Sequence, residues 1–392
     1  MGWWFGRKSA PEQIRPLVPA WLSRACDEEG FASGYAAQFD EIYRRNPVGQ
    51  RAVRLLSGLL GSLPIYAAEG PSTGSGQAAV KLVSRDGLLE NIGAALLLHG
   101  NAYVQLLADA DEKPAELVFL RPERVTIDTD NRGWTTAYLY KVANTVTRIA
   151  KTDGLGRMQV AHLRSLSPRD DHYGMGCMDA AIAGASVHNR ASRWNKGLLD
   201  NAARPSGAMS YEPGDGSLLS AEQFDRLKSE LDQSFAGSSN AGRPMLLEGG
   251  LKWQALSLTP ADMDFVSLKE GAARDIALAF GVPPVLVGLP GDATYANARE
   301  AGRALYRQTI LPMAARILDG LSAMLSDWIG PMRLAADPDQ ISELAEDRAL
   351  LWQQVSSADF LSEAEKRDMV GFGPKLGQPQ AIDPADAMDG EQ

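Results

Sequence analysis

Residues 275–312 restrict the fold of this chain more than any other stretch of its sequence. Helix-forming residues lead to Gly281, and Pro283 and Pro284 follow after one valine. Proline has no amide hydrogen for a helix interior and drives the residue before it out of the helical region, so a helix must end here. The pattern therefore predicts a helix, a rigid turn, a polar loop and a second helix, in that order.

The second helix is predicted to begin near Asn297, after small polar residues of the kind that cap helices. Arg299, Arg303 and Arg307 are four residues apart, a spacing that places three guanidinium groups on one helix face. Such a stripe is either a contact surface or a solvated face. Further along, Pro312 removes one backbone hydrogen bond and predicts a kink.

The composition is that of a soluble protein with two or three cores: 392 residues, 45% hydrophobic and 22% charged. The best apolar run, residues 92–98, is far shorter than the ~20 residues of a membrane-spanning helix, and residues 1–13 lack the apolar core of a signal peptide. Cys26 and Cys177 are the only cysteines, which favours a reducing compartment and excludes a disulfide framework. We therefore expect synthesis in the cytoplasm and no membrane partner.

The net charge of −10 excludes a protein that grips duplex DNA tightly, because such surfaces are usually basic. An acidic chain is still compatible with a passage for DNA, since a wall that repels phosphate lets a duplex slide. No loop of the form G-x-x-x-x-G-K-[ST] occurs, so energy for movement must come from another protein.

A mixed α+β region follows the first 35 residues. Helices are predicted at residues 46–63 and 88–99, and the glycine-rich residues 70–76 have the composition of a flexible loop. β-Branched and aromatic residues then predict strands, at residues 102–107, 116–120, 125–128, 135–142, 145–149 and 159–163.

Two long helices, at residues 178–203 and 261–280, enclose a small module. The first carries apolar residues at helical spacing: Met178, Ile182, Ala185, Ala191, Trp194, Leu198 and Ala202. Ser220 and Gln223 form a capping-box signature at the start of its helix, residues 220–235. Strands of the module are predicted at residues 207–211, 245–247 and 251–256. A last long helix, near residues 297–328, carries an apolar stripe: Ile310, Ala314, Ile317, Leu321, Met324 and Trp328. Short helices are predicted at residues 340–370.

Three motifs in a fixed order carry a family resemblance: Gly100-Asn101-Ala102-Tyr103-Val104, residues 241–253 and residues 275–312. Over residues 36–330 the chain resembles the portal proteins of long-tailed double-stranded DNA phages and gene transfer agents. The resemblance implies a closed ring, usually of twelve copies, at one capsid vertex of a virion. DNA enters and later leaves through such a ring, which is neither an enzyme nor a cofactor-binding protein.

The implied fold class is α+β, a portal fold that divides the chain into nine segments. They are an N-terminal extension (1–35), an α/β wing (36–175), a first stem helix (176–204), a small α/β clip (205–258), a second stem helix (259–282), a tunnel loop (283–298), a long proline-kinked helix (299–330), a helical crown (331–370) and a disordered tail (371–392).

The resemblance also implies partners and contact residues. The partners are further copies of the chain, a large terminase motor, a head-tail adaptor, the major capsid protein and double-stranded DNA bound without sequence specificity. The DNA channel is expected at four tunnel-loop residues: Asp292, Thr294, Tyr295 and Asn297. Contacts with DNA or with a neighbouring subunit are expected from eight basic residues: Arg299, Arg303, Arg307, Arg190, Arg193, Lys196, Lys269 and Arg274. The five on the stem helices would touch phosphate or pair with acidic residues of adjacent copies: Asp262, Asp264, Glu270 and Asp275.

Two other functions remain open from the residues alone. A metal-dependent hydrolase would use His162, Asp170 and His172, whose imidazoles and carboxylate are of the types that hold a divalent metal. A solvated turn after a strand explains the same residues. The other alternative is a ring-forming adaptor without a DNA tunnel.

Overall fold

The computed structural model describes residues 34–69, 73–200, 207–211, 251–255, 265–289 and 294–370, with Ser220 and a few residues as far as 229. The chain divides into two compact units, Met1–Ala336 and Asp337–Gln392. Within the described ranges, no helix is both long enough and apolar enough to cross a bilayer.

The described helices, in chain order, are α1 (Tyr35–Phe39), α2 (Pro47–Gly61), α3 (Thr73–Val83), α4 (Leu88–Leu98), α5 (Met178–Asp200), α6 (Phe265–Ala279), α7 (Tyr295–Leu305), α8 (Leu311–Ile329), α9 (Ala345–Ser357) and α10 (Glu363–Met369). The strands are β1 (Ile65–Glu69), β2 (Asn101–Ala108), β3 (Pro114–Leu120), β4 (Val125–Thr129), β5 (Thr135–Val142), β6 (Thr145–Ala150), β7 (Val160–Arg164), β8 (Gly207–Tyr211), β9 (Leu251–Ala255) and β10 (Arg333–Ala336).

All strand pairs among the described residues are antiparallel. β2 lies between β3 and β7, and β5 lies between β4 and β6. Among the described strands, β1 pairs with β10 alone and β8 with β9 alone. The six strands predicted between residues 102 and 163 are confirmed, as are those at 207–211 and 251–256. The strand expected at residues 245–247 lies outside the described residues.

A cluster around Tyr103 joins the two three-stranded sheets. The Tyr103 side chain is fully buried on β2 and packs with Leu120 of β3 and Val160 of β7. The opposing sheet contributes Val125 and Tyr138 to the same cluster. Because alternate residues of each strand point to one face, the β-branched and aromatic pattern of the sequence forms this core directly.

The helix predictions are largely confirmed, with one error. Asn46 caps α2, since its Oδ1 accepts hydrogen bonds from the amides of Val48 and Gly49 at 3.0 Å. Thr73–Val83 is helical, so the flexible loop predicted through residue 76 is wrong from residue 73 onward. The burial of Ala79 and Val83 accounts for this, because packing overrides a weak helix propensity.

The last long helix is interrupted close to Pro312, as expected. A π-helical turn, Tyr306–Ile310, lies between α7 and α8, and the amide of Leu311 donates to the carbonyl of Tyr306. The apolar stripe, which runs from the π turn into α8, is buried at five of its six predicted positions: Ile310, Ala314, Ile317, Leu321 and Met324. The sixth, Trp328, is half-buried and donates its Nε1 hydrogen to the Met158 carbonyl at 2.8 Å.

The described residues include two capping boxes. Ser220 and Gln223 exchange hydrogen bonds of 2.9 and 3.2 Å, as their spacing predicts. In the second unit, Ser362 and Glu365 form the same arrangement before α10. The short helices expected at residues 340–370 are α9 and α10, whereas residues 333–336 form β10, which pairs with β1 in the first unit.

Candidate functional site

The turn after α6 has the geometry that its prolines predict. Gly281 has a φ of +67°, a conformation that glycine adopts without strain. The amide of Val282 donates to the Ala277 carbonyl at 2.9 Å, which closes the helix end. A 3-10 turn, Pro284–Val287, follows. This turn is the first part of the predicted tunnel loop, residues 283–298.

The tunnel-loop residues are described only in part. Asp292 lies outside the described residues, and so does the side chain of Tyr295. The hydroxyl of Thr294 accepts a hydrogen bond of 3.2 Å from the Asn297 amide and caps α7. Tyr295 and Asn297 therefore lie in the first turn of α7, which begins two residues earlier than the sequence predicted.

The three arginines that follow do not share one environment. Arg299 and Arg307 are exposed, whereas the Arg303 side chain is 14% exposed and lies 3.4 Å from Glu300. Arg307 belongs to the π turn, whose i to i+5 hydrogen bonding changes the angular spacing of side chains. The expected stripe is thus reduced to two exposed arginines and one largely buried arginine that is paired with exposed Glu300.

The basic residues of α5 and α6 lie mainly on the surface. Arg190, Arg193, Lys196 and Arg274 are exposed, and Lys269 is half-buried. Arg193 lies 3.5 Å from Glu41 of its own chain, so at least this residue has an acidic partner without a neighbouring copy. Of the acidic partners expected from an adjacent copy, Asp262 and Asp264 lie outside the described residues.

α5 and α6 pack closely against each other. The buried positions of α5 include Met178, Ile182, Ala185 and Ala191, all predicted for its apolar stripe. Trp194 departs from this prediction, since it is 51% exposed and touches Phe265 with its ring at 6.3 Å between centroids. The side chain of Leu198, and the whole of Ala202, lie outside the described residues.

A buried polar cluster ties α5 to the start of α2. Asn46 donates to the Asn189 carboxamide oxygen at 3.0 Å, and its Nδ2 lies 3.3 Å from Nδ1 of His188. Asn189 in turn donates to the Glu41 carbonyl at 2.8 Å. Burial lowers the pKa of His188, and nearby Lys269 acts in the same direction. The hydrogen bonds of this cluster connect α5 to the start of α2.

Asn101 forms a second connection between these regions. Its Nδ2 donates to the carbonyls of His99 and Gly174 at 3.2 and 3.0 Å, and its Oδ1 accepts from the Gly174 amide at 2.8 Å. Gly100 has a φ of +79°, and a Cβ added there would lie 2.4 Å from the backbone of Met175. Two backbone segments therefore meet at this motif, where β2 passes the segment that leads into α5. Gly100 allows their close approach, and Asn101 connects them by hydrogen bonds.

The histidine-aspartate group does not form a metal site. Nε2 of His162 lies 3.0 Å from Oδ1 of Asn101, and its ring stacks on Tyr103. Asp170 uses Oδ1 to accept the amides of His172 and Tyr173, the geometry of a polar turn. Among the described residues, no group of three or more His, Cys, Asp and Glu side chains is placed to hold a metal ion. The hydrolase alternative thus has no centre in this part of the chain.

Asn46 and Asn101 are the structural residues that the sequence interpretation missed. Asn101 was part of a recognised motif, and Asn46 precedes a proline at a helix start, which is a capping signal. What the sequence does not contain is the identity of their partners, which are distant in the chain: His162 and Gly174 for Asn101, His188 and Asn189 for Asn46.

Comparison with known proteins agrees with this architecture. The sequence pattern of a family described as phage portal protein matches residues 47–371. An uncharacterized protein of Rickettsia felis is 44% identical over 286 residues, which is 72% of each chain.

Solved structures extend the comparison to the fold. A chain in the neck of a native gene transfer agent (GTA) particle, computed with C12 symmetry, is 40% identical, with a TM-score of 0.64 over 90% of this chain and 98% of that chain. An HK97-family phage portal protein from Corynebacterium diphtheriae shares the fold at 16% identity, with a TM-score of 0.53 over 79% of this chain and 96% of that chain. The chain therefore belongs to the phage portal protein family, whose members are structural proteins and not enzymes.

Proposed function

We propose that twelve copies of this chain form a closed ring at one capsid vertex of a phage or gene transfer agent virion. The ring is a passive conduit for double-stranded DNA during packaging and ejection. The observation that carries this proposal is the likeness, over most of both chains, to a protein in a GTA neck computed with C12 symmetry. In a cyclic ring each copy meets its two neighbours through two different faces, so assembly ends when the ring closes.

The segments keep the roles that the family implies. Residues 36–175 are the wing, α5 and α6 belong to the two-helix stem, and β8 and β9 belong to the clip. Residues 283–298 are the tunnel loop, and residues 331–370 the crown. Copies assemble in the host cytoplasm, with wing and crown toward the capsid interior and the major capsid protein. The clip points outward to the terminase motor and the head-tail adaptor.

Charge and the position of α7 support a conduit rather than a clamp. A ring of copies that each carry a net charge of −10 repels phosphate over most of its surface. Thr294 fixes the start of α7, and exposed Arg299 and Arg307 follow within the next turns. A few weak contacts of this kind centre a duplex and resist slippage without holding it. Arg303, largely buried beside Glu300, acts in the fold and not in the channel.

End-on electron microscopy, together with light scattering of the purified full-length chain, tests the assignment. We expect a ring of twelve copies with an open centre wide enough for duplex DNA. A ring whose centre is closed by protein would favour an adaptor without a tunnel. A chain that stays monomeric or dimeric in the presence of its capsid partners would overturn the proposal.

A further inference from the structure

The turn between α3 and α4 contains the dipeptide Asp86-Gly87. Asp86 has a φ of +52° and Gly87 a φ of +63°, and the amide of Leu88 donates to the Arg85 carbonyl at 3.0 Å. Positive φ at both central residues is characteristic of the type I′ turn, for which Asp-Gly is a preferred sequence. The pair therefore has a structural reason to be here, and the same two residues also have a chemistry of their own.

An aspartate followed by glycine can isomerise with water as the only co-reactant. The backbone nitrogen of Gly87 attacks Cγ of the protonated Asp86 carboxyl group, an N–Cγ bond forms, and the amide hydrogen and the carboxyl hydroxyl leave together as water. Water then reopens the resulting succinimide ring at either carbonyl. Opening at the backbone carbonyl gives isoaspartate, in which the main chain runs through Cγ. Glycine obstructs this attack least because it has no Cβ.

The reaction requires a free carboxyl group and a backbone that can rotate. Asp86 and Gly87 are both exposed, and within the described part of the chain the Asp86 carboxylate forms no hydrogen bond or ion pair. Attack requires rotation about the Cα–C bond of Asp86. Because the left-handed region is disfavoured for a residue that has a Cβ, this rotation takes Asp86 out of an unfavourable conformation. The turn therefore offers little resistance to the reaction.

The chain supplies its own comparison sites. The same tripeptide, Asp-Gly-Leu, stands at residues 86–88, 153–155 and 319–321. Because these sequences are identical, a large difference in reactivity among them must come from the folded structure. Two further Asp-Gly pairs, at residues 215–216 and 389–390, lie outside the described residues.

The fold restrains the other two copies of the tripeptide. Oδ1 of Asp153 accepts hydrogen bonds from the amides of Leu155 and Arg157 at 2.9 and 2.8 Å, and its Oδ2 accepts from Nε of Arg157 at 2.8 Å. Asp319 is exposed like Asp86, but Gly320 lies in the interior of α8, where its amide takes part in helical hydrogen bonding. One site thus has a restrained carboxylate and the other a restrained nucleophile.

We propose that Asp86 is a site of spontaneous isomerisation to isoaspartate in the folded protein, and that the fold protects Asp153 and Asp319. Isoaspartate adds one methylene group to the main chain directly before α4. The first residues of α4, Leu88 and Leu89, are 4% and 7% exposed, and this helix packs on α2. The longer linkage displaces these buried side chains, so the modification weakens the packing of α4. This inference does not depend on the proposed function.

Peptide mapping of the full-length chain, after prolonged incubation at physiological temperature and neutral pH, tests the site. Isoaspartate is located by mass spectrometry and by resistance to a protease that cleaves before aspartate. In the folded chain we expect about tenfold or more isoaspartate at Asp86 than at Asp153 or Asp319, because hydrogen bonds must break first at those two sites. In urea the three amounts should become similar. Equal amounts at the three sites of the folded chain, or none at Asp86, would overturn the inference.

Two variants test the effect on α4. Asp86→Gly removes the reacting carboxyl group and keeps a Gly-Gly pair, which also suits the type I′ turn. The unsubstituted chain should unfold at a lower temperature after incubation than before it, whereas Asp86→Gly should unfold at the same temperature in both cases. Asp319→Ala, at an exposed position of α8, is the matched control and should lose stability as the unsubstituted chain does. An equal loss in Asp86→Gly would show that isomerisation of Asp86 does not weaken the fold.

Discussion

Asn101 shows how much a single side chain can determine in this fold. Its amide contacts the carbonyl of His99, both backbone groups of Gly174 and the ring of His162, and it is 1% exposed. A buried polar group that loses its hydrogen-bond partner destabilises the fold by the full free energy of its removal from water. The residue therefore fixes β2, β7 and the segment that leads to α5 relative to one another.

Replacing Asn101 by alanine should lower the free energy of unfolding by about 3–5 kcal/mol, because several buried polar groups lose their partner at once. Urea unfolding at a fixed protein concentration measures the change. Asn144→Ala, in the exposed turn between β5 and β6, is the matched control and should change stability by less than about 0.5 kcal/mol. Equal midpoints for the two variants would contradict the role assigned to Asn101.

His162 gives the protein a predictable sensitivity to acid. Burial, and then the charge of nearby Arg164, lowers the pKa of His162 from 6.5 to about 3. Between these pH values the unfolded chain binds a proton that the folded chain does not. The stabilisation is therefore complete above pH 6.5 and is lost as the pH falls toward 3. Burial of His188 acts with the same sign.

We expect the free energy of unfolding, measured by urea titration between pH 7 and pH 4, to decrease once the pH is below about 6.5. For one histidine the slope is at most about 1.4 kcal/mol per pH unit. His162→Gln keeps a hydrogen-bond donor for Asn101 but does not titrate, so the slope should become shallower. A variant with the same slope as the unsubstituted chain would show that other groups cause the acid sensitivity.

At the scale of elements, the α5–α6 pair depends on close backbone approach. A leucine at Gly184 would place carbon where the Ala272 carbonyl and the Ile276 side chain already lie, at 3.0 and 3.2 Å from an added Cβ. We expect Gly184→Leu to cost about 1–3 kcal/mol through overpacking. On the same helix, a Cβ at Gly197 meets nothing within 4 Å. Gly197→Leu should be neutral or stabilising, and thermal unfolding of the two variants makes the comparison.

Between α7 and α8 the helical hydrogen bonding is interrupted at a π turn and a proline. Pro312 sits in the first turn of α8, where a missing amide hydrogen costs little, and the π turn Tyr306–Ile310 lies directly before it. The hydroxyl of Thr309 in that turn donates to the Gly281 carbonyl at 3.2 Å. The two proline-dependent interruptions of the sequence, after α6 and before α8, are therefore in direct contact.

At the scale of the whole molecule, net charge decides how an assembled ring meets DNA. We expect weak binding of bulk duplex DNA at about 150 mM salt, and stronger binding only at lower ionic strength. Arg299→Ala with Arg307→Ala should weaken the low-salt binding and lower packaged DNA, because both side chains are exposed. Arg303→Ala is the comparison, and it should affect stability more than DNA binding. Tight binding at high salt, or unchanged DNA content, would contradict these expectations.

Much of the local structure was predictable because it depends on neighbours in sequence. Alternating residues predict the strands from β2 to β7, and the Ser220–Gln223 pair predicts a helix start that the hydrogen bonds confirm. The helix at Thr73–Val83 was missed, since glycine and serine there have no helical preference and only packing against the body orders them.

The sequence alone determined where backbone hydrogen bonding must begin and end, because proline, glycine and capping side chains act on atoms within a few residues of themselves. It also determined the portal resemblance, through the order of its motifs. Only the tertiary structure decided that Arg303 is largely buried while Arg299 is not, and that Asn101 and Asn46 connect distant segments. Such assignments depend on which surfaces meet, and a pattern of a few residues contains no information about the partner that buries it.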